Sequence, residues 1–358
     1  MPASSIDTFF ACSLMVILVV SAMVSTAKLV QPYLTNIANS NGIDRYRSFA
    51  DYVLLNPGTP SDWGGVEGES PSVFGLASGD SQPYALDPDK VSRLNNESVY
   101  ATTYEQVLAS LGAYDMSFNI QLRTVFDVTI SPPSTQGTEN DTTYTFPVST
   151  IKSGLPISAW LSCYVILDSY VDEVVSSTDT TGSGEISVSL SNSLNGTALL
   201  AVLARMQTCS QIMTFNAYSF GHNTDPPSAK EPFLRLSPLN HMLNVSFQQP
   251  ELDIDEALVL TYSHCLSLSP TALGNQSVEY NISSPSETSP MILAVTGHNG
   301  SVSFAEWTAY PQLPLEMGAP FDDLHTETKA LALTYIVSVN AVLYEAIVTV
   351  RSVPETGA

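Results

Sequence analysis

His264 and Cys265 are the one adjacent histidine–cysteine pair in this chain of 358 residues. A thiol beside an imidazole is the simplest form of an activated nucleophile. The surroundings argue against that use. Neighbours on a strand point to opposite faces, so the two groups would not meet in β-structure. The other histidines, His222, His241, His298 and His325, are scattered. Carboxylates gather at Asp253, Asp255 and Glu256, and again at Asp322-Asp323. Either group could contribute to a calcium site, but neither shows the Asp/Asn ladder of a calcium loop, so both read as solvated acidic loops. No Gly-rich phosphate loop, HExxH, GxSxG or paired-carboxylate motif occurs. The expectation is a protein that is not an enzyme, with no catalytic residue, no metal site and no cofactor.

The remaining chemistry is that of thiols and glycans. The cysteines are Cys12, Cys163, Cys209 and Cys265. No CxxC or Cys/His cluster suggests zinc. Cys163 and Cys209 could bridge within one β-domain, and buried free thiols are an equally good reading. Asn-X-Ser/Thr acceptors stand at Asn96, Asn140, Asn195, Asn244, Asn275, Asn281 and Asn299. They fall in polar stretches that read as loops or strand ends, where glycans are accommodated. Asn140 and Asn299 have the most turn-like surroundings. Charged residues make up only 13%, with a formal charge of −23 and 12 Lys and Arg in all. Nucleic acid is thereby excluded as a partner, since phosphate binding needs clustered basic residues.

The elements that must position these residues are mostly strands. Asp87 with Pro88 marks the start of a short helix. Tyr100–Leu111 shows helical spacing, and Phe118–Ile130 alternates as one strand. After a polar linker at Pro132–Asn140, short strands are expected at Tyr144–Val148, Trp160–Leu167, Glu185–Leu190, Leu199–Arg205 and Ile212–Tyr218. Turn residues punctuate them, which argues for a sandwich. Trp160 precedes Cys163, so the cysteine–tryptophan spacing of true immunoglobulin domains is not met, and the domain is read as immunoglobulin-like only. A second linker covers Gly221–Pro232. Strands then recur at Phe233–Leu236, Met242–Phe247, Ala257–Tyr262, Ser277–Ile282, Met291–Thr296 and Ser301–Trp307. Leu331–Val350 is apolar enough to suggest a membrane span. Glu345 and the alternation of Tyr335, Val337 and Val339 make it instead a hairpin bent at Asn340-Ala341.

The chain begins differently. Phe9–Ala27 carries no charge and lies between Asp7 and Lys28. As a helix it would reach roughly 30 Å, the thickness of a bilayer's hydrocarbon core. Two readings stand. One is a retained anchor, favoured because the run exceeds a signal peptide's apolar core and no Lys or Arg precedes it. The other is a secretory signal cleaved after Ala27. Both export the remainder. Helical spacing continues through 28–55, with an interruption at Asn39–Gly42.

The fold class expected is α+β. Residues 1–27 form a membrane helix and 28–55 a helical stalk. Residues 56–130 form a small α+β region, 131–220 a β-sandwich, and 221–358 a second β-domain with a C-terminal hairpin.

Ala3-Ser4-Ser5-Ile6-Asp7-Thr8-Phe9-Phe10-Ala11, leading into an uncharged helix, resembles the mature N-terminus of archaeal type IV pilin-like proteins. The segments Leu54–Trp63 and Gly75–Val91 look like a pattern of uncharacterised archaeal surface proteins of that type. The basic leader of that family is not seen; only Met1-Pro2 precede Ala3. The resemblance implies a single-pass cell-membrane protein with most of the chain outside. Its partners would be membrane lipid and like subunits, the latter through an assembly role for Asp7. The leading expectation is therefore a structural or adhesive surface protein. A solitary anchored protein binding glycan or envelope components through loops of 143–310 is the alternative, and a secreted hydrolase ranks third.

Overall fold

A computed structural model of the chain describes residues 42–79, 82–225, 233–248, 252–274, 276–282, 288–300, 302–321 and 330–352. Residues 42–55 are helical (α1). No helix among the described residues is long and apolar enough to cross a membrane. The Phe9–Ala27 run, Asp7, Cys12 and the stalk residues 28–41 lie outside them. The chain divides into two compact units, Met1–Ala50 and Asp51–Ala358. The first is represented by the helical residues 42–50, where Ser48 Oγ donates to the Asp44 carbonyl at 2.8 Å.

The second unit begins with a base. β1 (Ala85–Leu86) leads into α2 (Pro88–Ser92) and α3 (Tyr104–Leu111), followed by β2 (Met116–Thr124). Asp87 caps α2, accepting from the amides of Asp89 and Lys90, with Pro88 in the first turn. α3 starts later than its spacing predicts, because Thr103 and Gln106 form a capping box and Gly112 ends it at φ 60°.

The first sandwich comprises β3 (Asp127–Ile130), β4 (Ser134–Gly137), β5 (Asp141–Lys152), β6 (Leu155–Pro156), β7 (Ala159–Leu167), β8 (Tyr170–Ser177), β9 (Ser183–Ser191), β10 (Gly196–Met206) and β11 (Met213–His222). One sheet is built around β5, which pairs with β3, β4, β6 and β9; the other has the order β11-β10-β7-β8. Phe146, Val148, Ile186 and Val188 from the first face Leu161, Cys163, Leu200 and Val202 from the second in one core.

The second sandwich comprises β12 (Leu234–Leu239), β13 (Met242–Phe247), β14 (Leu252–Leu260), β15 (Cys265–Ser267), β16 (Pro270–Leu273), β17 (Ser277–Asn281), β18 (Met291–Asn299) and β19 (Val302–Tyr310). Its sheets run β12-β13-β17-β16 and β15-β14-β18-β19, enclosing Leu243, Val245, Val259 and Leu293.

The chain then returns to the base with β20 (Leu315–Gly318), β21 (Leu331–Val339) and β22 (Val342–Ser352). The base sheet has the order β1-β21-β22-β2-β20. The β21–β22 turn is Asn340-Ala341 with φ 50° and 62°, the two positive values of a type I′ hairpin.

Three expectations are corrected here. Phe118–Ile130 is not one strand: it breaks after Thr124, and its halves join different sheets. Pro132–Asn140 is not a bare linker, since Ser134–Gly137 pairs with Thr142–Thr145. The C-terminal hairpin does not belong to a 221–358 domain. β22 pairs along its length with β2, so the region 56–124 and the C-terminus share one sheet. Burial drives that pairing: Val342, Tyr344, Ala346, Val348 and Val350 form one buried face beside Phe118, Ile120 and Leu122. The mostly-β, sandwich-containing character stands as expected.

Candidate functional site

The two sandwiches meet along β10 and β19. Thr197 N–H donates to Ser303 Oγ at 2.8 Å, and Thr197 Oγ1 donates to the Ser303 carbonyl at 2.9 Å. Gly196, at φ 145°, permits this approach; a Cβ there would stand 3.0 Å from Ser303 Oγ. Phe215 meets Trp307 edge-on at 6.4 Å, and the Arg205 guanidinium lies 3.7 Å from the Tyr262 ring centroid.

The base grips the second sandwich through α2. Asp89 Oδ1 accepts from Tyr310 OH at 2.7 Å and from the Asn240 amide at 2.8 Å. Gln312 N–H donates to Ser92 Oγ, and its side chain donates to the Leu236 carbonyl at 3.0 Å. Beneath, Lys90 is buried and donates to the carbonyls of Pro57 and Ala77. Burial holds its ammonium below the usual lysine range, against the pull of Asp87 and Asp62. Arg93 donates to the carbonyls of Trp63, Val66, Glu69 and Tyr100.

Where base and sandwiches converge, an open groove of about 1100 Å³ forms. Its walls come from the loop after α2, the β9–β10 turn, β11, β19 and the approach to β20. Glu97, Asp225, Glu306 and Glu316 line it, together with Tyr218 and Trp307. No Lys or Arg occurs among its described lining residues. Carboxylates and amides accept hydroxyl and ammonium protons, while ring faces take flat apolar surfaces. The groove therefore suits a neutral or cationic polar ligand and disfavours an anion.

At one end the groove reaches His298. His298 Nδ1 and Asp255 Oδ2 are 2.7 Å apart. Asp255 does not lie in a loop, as its acidic neighbours suggest, but in β14. It occupies a bulge: Ile254 pairs with Gly297 and Glu256 with Thr296, leaving Asp255 without an opposite residue. Asp168, in the β7–β8 turn of the first sandwich, brings a second carboxylate. Ligand atoms of all three residues lie within 4.8 Å of one another. Burial pushes the Asp168 carboxyl above the usual range; His298 draws it down and Asp255 pushes it up.

His264 and Cys265 are not arranged for nucleophilic chemistry. His264 closes a turn, its amide donating to Thr261 Oγ1, and Cys265 opens β15. Burial, then Glu256 and Glu173, push the Cys265 thiol up to about 11, the opposite of activation. Cys163 and Cys209 are not bridged; both thiols are free. Cys163 points into the core from mid-β7, paired opposite Val202, while Cys209 lies in the β10–β11 turn beyond Met206.

Asn96, Asn140, Asn195 and Asn281 are exposed, Asn299 is half-buried near the β18–β19 turn, and Asn275 falls outside the described residues. Asn244 sits mid-way along β13, between β12 and β17, and hydrogen-bonds Tyr100. Asn96 and Asn195 stand on the groove wall. Spacing could not have found the groove or the Asp168–Asp255–His298 corner. Their residues are far apart in sequence, and the bulge that frees Asp255 leaves no mark in composition.

Neither a protein-family model nor a curated protein sequence matches the chain. Among solved structures it is similar to HBP35 of Porphyromonas gingivalis, at 11% identity over 60% of this chain and 68% of that one, TM-score 0.20. A two-domain fibronectin type-III segment from chicken tenascin matches at 9% identity over 53% and 98%, TM-score 0.17. A titin I-band fragment matches at 11% over 63% and 90%, TM-score 0.15.

Proposed function

We propose that this is a surface-displayed, adhesive, non-catalytic protein whose immunoglobulin-like sandwiches hold an envelope saccharide in the groove beside Trp307. One observation carries the reading: an open groove that combines four carboxylates with aromatic side chains and no Lys or Arg among its described lining residues. Saccharide hydroxyls donate well to carboxylates, and the C–H faces of sugar rings settle on aromatic planes. Display is supported by the uncharged Phe9–Ala27 run and by the sequons. On the resemblance of Ala3–Ala11 to pilin-like N-termini, Asp7 would serve assembly with like subunits through the N-terminal helix, in a cell-membrane location.

Adhesion of the chain to isolated cell envelopes tests the reading. Binding should be competed by free saccharide and lost in Trp307→Ala. Adhesion that survives both would remove the groove from the function. Retention of the native protein in membranes through carbonate washes tests display separately, and full recovery in the soluble fraction would remove the anchor.

A further inference from the structure

We propose that Asp168, Asp255 and His298 bind a divalent transition-metal ion of the zinc type, which fastens the first sandwich to the second. The three donors come from separate elements: the β7–β8 turn, the β14 bulge and β18. Their ligand atoms already lie within 4.8 Å of one another. Zinc–nitrogen and zinc–oxygen bonds of about 2.1 Å hold neighbouring ligand atoms roughly 3.4 Å apart in a tetrahedron. The His298–Asp255 pair, at 2.7 Å, has to open slightly, and Asp168 closes on it.

Three further observations support a ligand. The Thr296 hydroxyl donates to the Asp168 carbonyl at 3.0 Å, so the turn is anchored on the second sandwich independently of its carboxylate. The Asp168 carboxylate itself has no hydrogen-bond partner among the described residues, although it faces the histidine–aspartate pair. Two carboxylates against at most one imidazolium leave the corner net negative, which a divalent cation would relieve.

The donor set selects the ion. One imidazole nitrogen with two carboxylate oxygens suits zinc, and a fourth position would be left to water. Calcium takes six to eight oxygens, more than this corner offers. The site stands independently of saccharide binding, although His298 also borders the groove.

The test uses the full chain, stripped with chelator and titrated with Zn²⁺ by calorimetry and thermal melting. One ion per chain and a raised melting temperature are expected. Asp168→Asn, Asp255→Asn and His298→Gln should each weaken binding at least about 10-fold, the loss that even an outer-shell change produces. Glu185→Gln, an exposed carboxylate on β9 of the first sandwich and outside the cluster, should bind as the parent does. Melting in chelator checks that each variant folds. Asp168→Asn removes no hydrogen bond of its side chain, so it decides the matter if His298→Gln does not fold. Absence of saturable one-to-one binding would overturn the proposal. So would equal losses in Glu185→Gln and Asp255→Asn, or tighter binding of Ca²⁺ than of Zn²⁺.

Discussion

Thr197 donates twice to Ser303 across the junction of the sandwiches, from its backbone amide to the Ser303 side chain and from its own hydroxyl to the Ser303 backbone carbonyl. Ser303→Ala leaves the partly buried Thr197 amide without its acceptor. The expected cost is about 1–3 kcal/mol in denaturant unfolding. Gly196→Ala should also destabilise, because the new Cβ meets Ser303 Oγ in a strained backbone. If both variants unfold like the parent, this contact is not what holds the joint.

Alkaline stability should depend on buried phenols. Burial raises Tyr344, and burial together with Asp89 raises Tyr310. The unfolded chain releases these protons near pH 10, before the folded one does. Stability from the neutral phenols is therefore fully present below about pH 10 and lost as pH rises beyond it. Tyr310→Phe should flatten that loss, measured as unfolding free energy against pH. An unchanged slope would show that Tyr310 does not titrate in this window.

Cys163 should resist alkylation until the protein unfolds. Its thiol is buried and pushed up to about 12 by that burial. Mass spectrometry after brief alkylation of the native protein should find Cys163 unmodified and not bridged to Cys209. A Cys163–Cys209 peptide pair would contradict the strand placement.

Glycan occupancy should follow the accessibility of the whole sequon. Asn140 lies on an exposed turn. Asn195 is exposed, but Thr197 is buried with its hydroxyl bonded to Ser303, and Ser98 beside Asn96 is buried too. Modification of already folded chain should therefore reach Asn140 and spare Asn96 and Asn195, leaving the groove wall clear. Site-resolved glycopeptide analysis showing the reverse pattern would contradict this.

The core strands were legible because their periodicity is local. Tyr144, Phe146 and Val148 alternate inward along β5, and Met242–Phe247 lies where its pattern puts it. β8 was not legible: Tyr170–Ser177 is an edge strand with no buried residue, and its exposed Val175 gives no inward stripe. Nor was the return of β22 to β2, since a sequence shows a strand's buried face but not its partner. The groove was hidden for the same reason. Asn95, Asn195, Tyr218 and Trp307 become neighbours only through the packing of three sheets.

Saccharide binding at Trp307 is the central claim, and calorimetric titration of envelope saccharides into the full chain tests it most directly. The account predicts saturable binding, weakened at least about 10-fold by Trp307→Ala, roughly the 1.4 kcal/mol that a central aromatic contact supplies. It also predicts weaker binding by Glu306→Gln and none of anionic saccharides. Absence of binding by every neutral or cationic saccharide, or equal affinity in parent and Trp307→Ala, would contradict it.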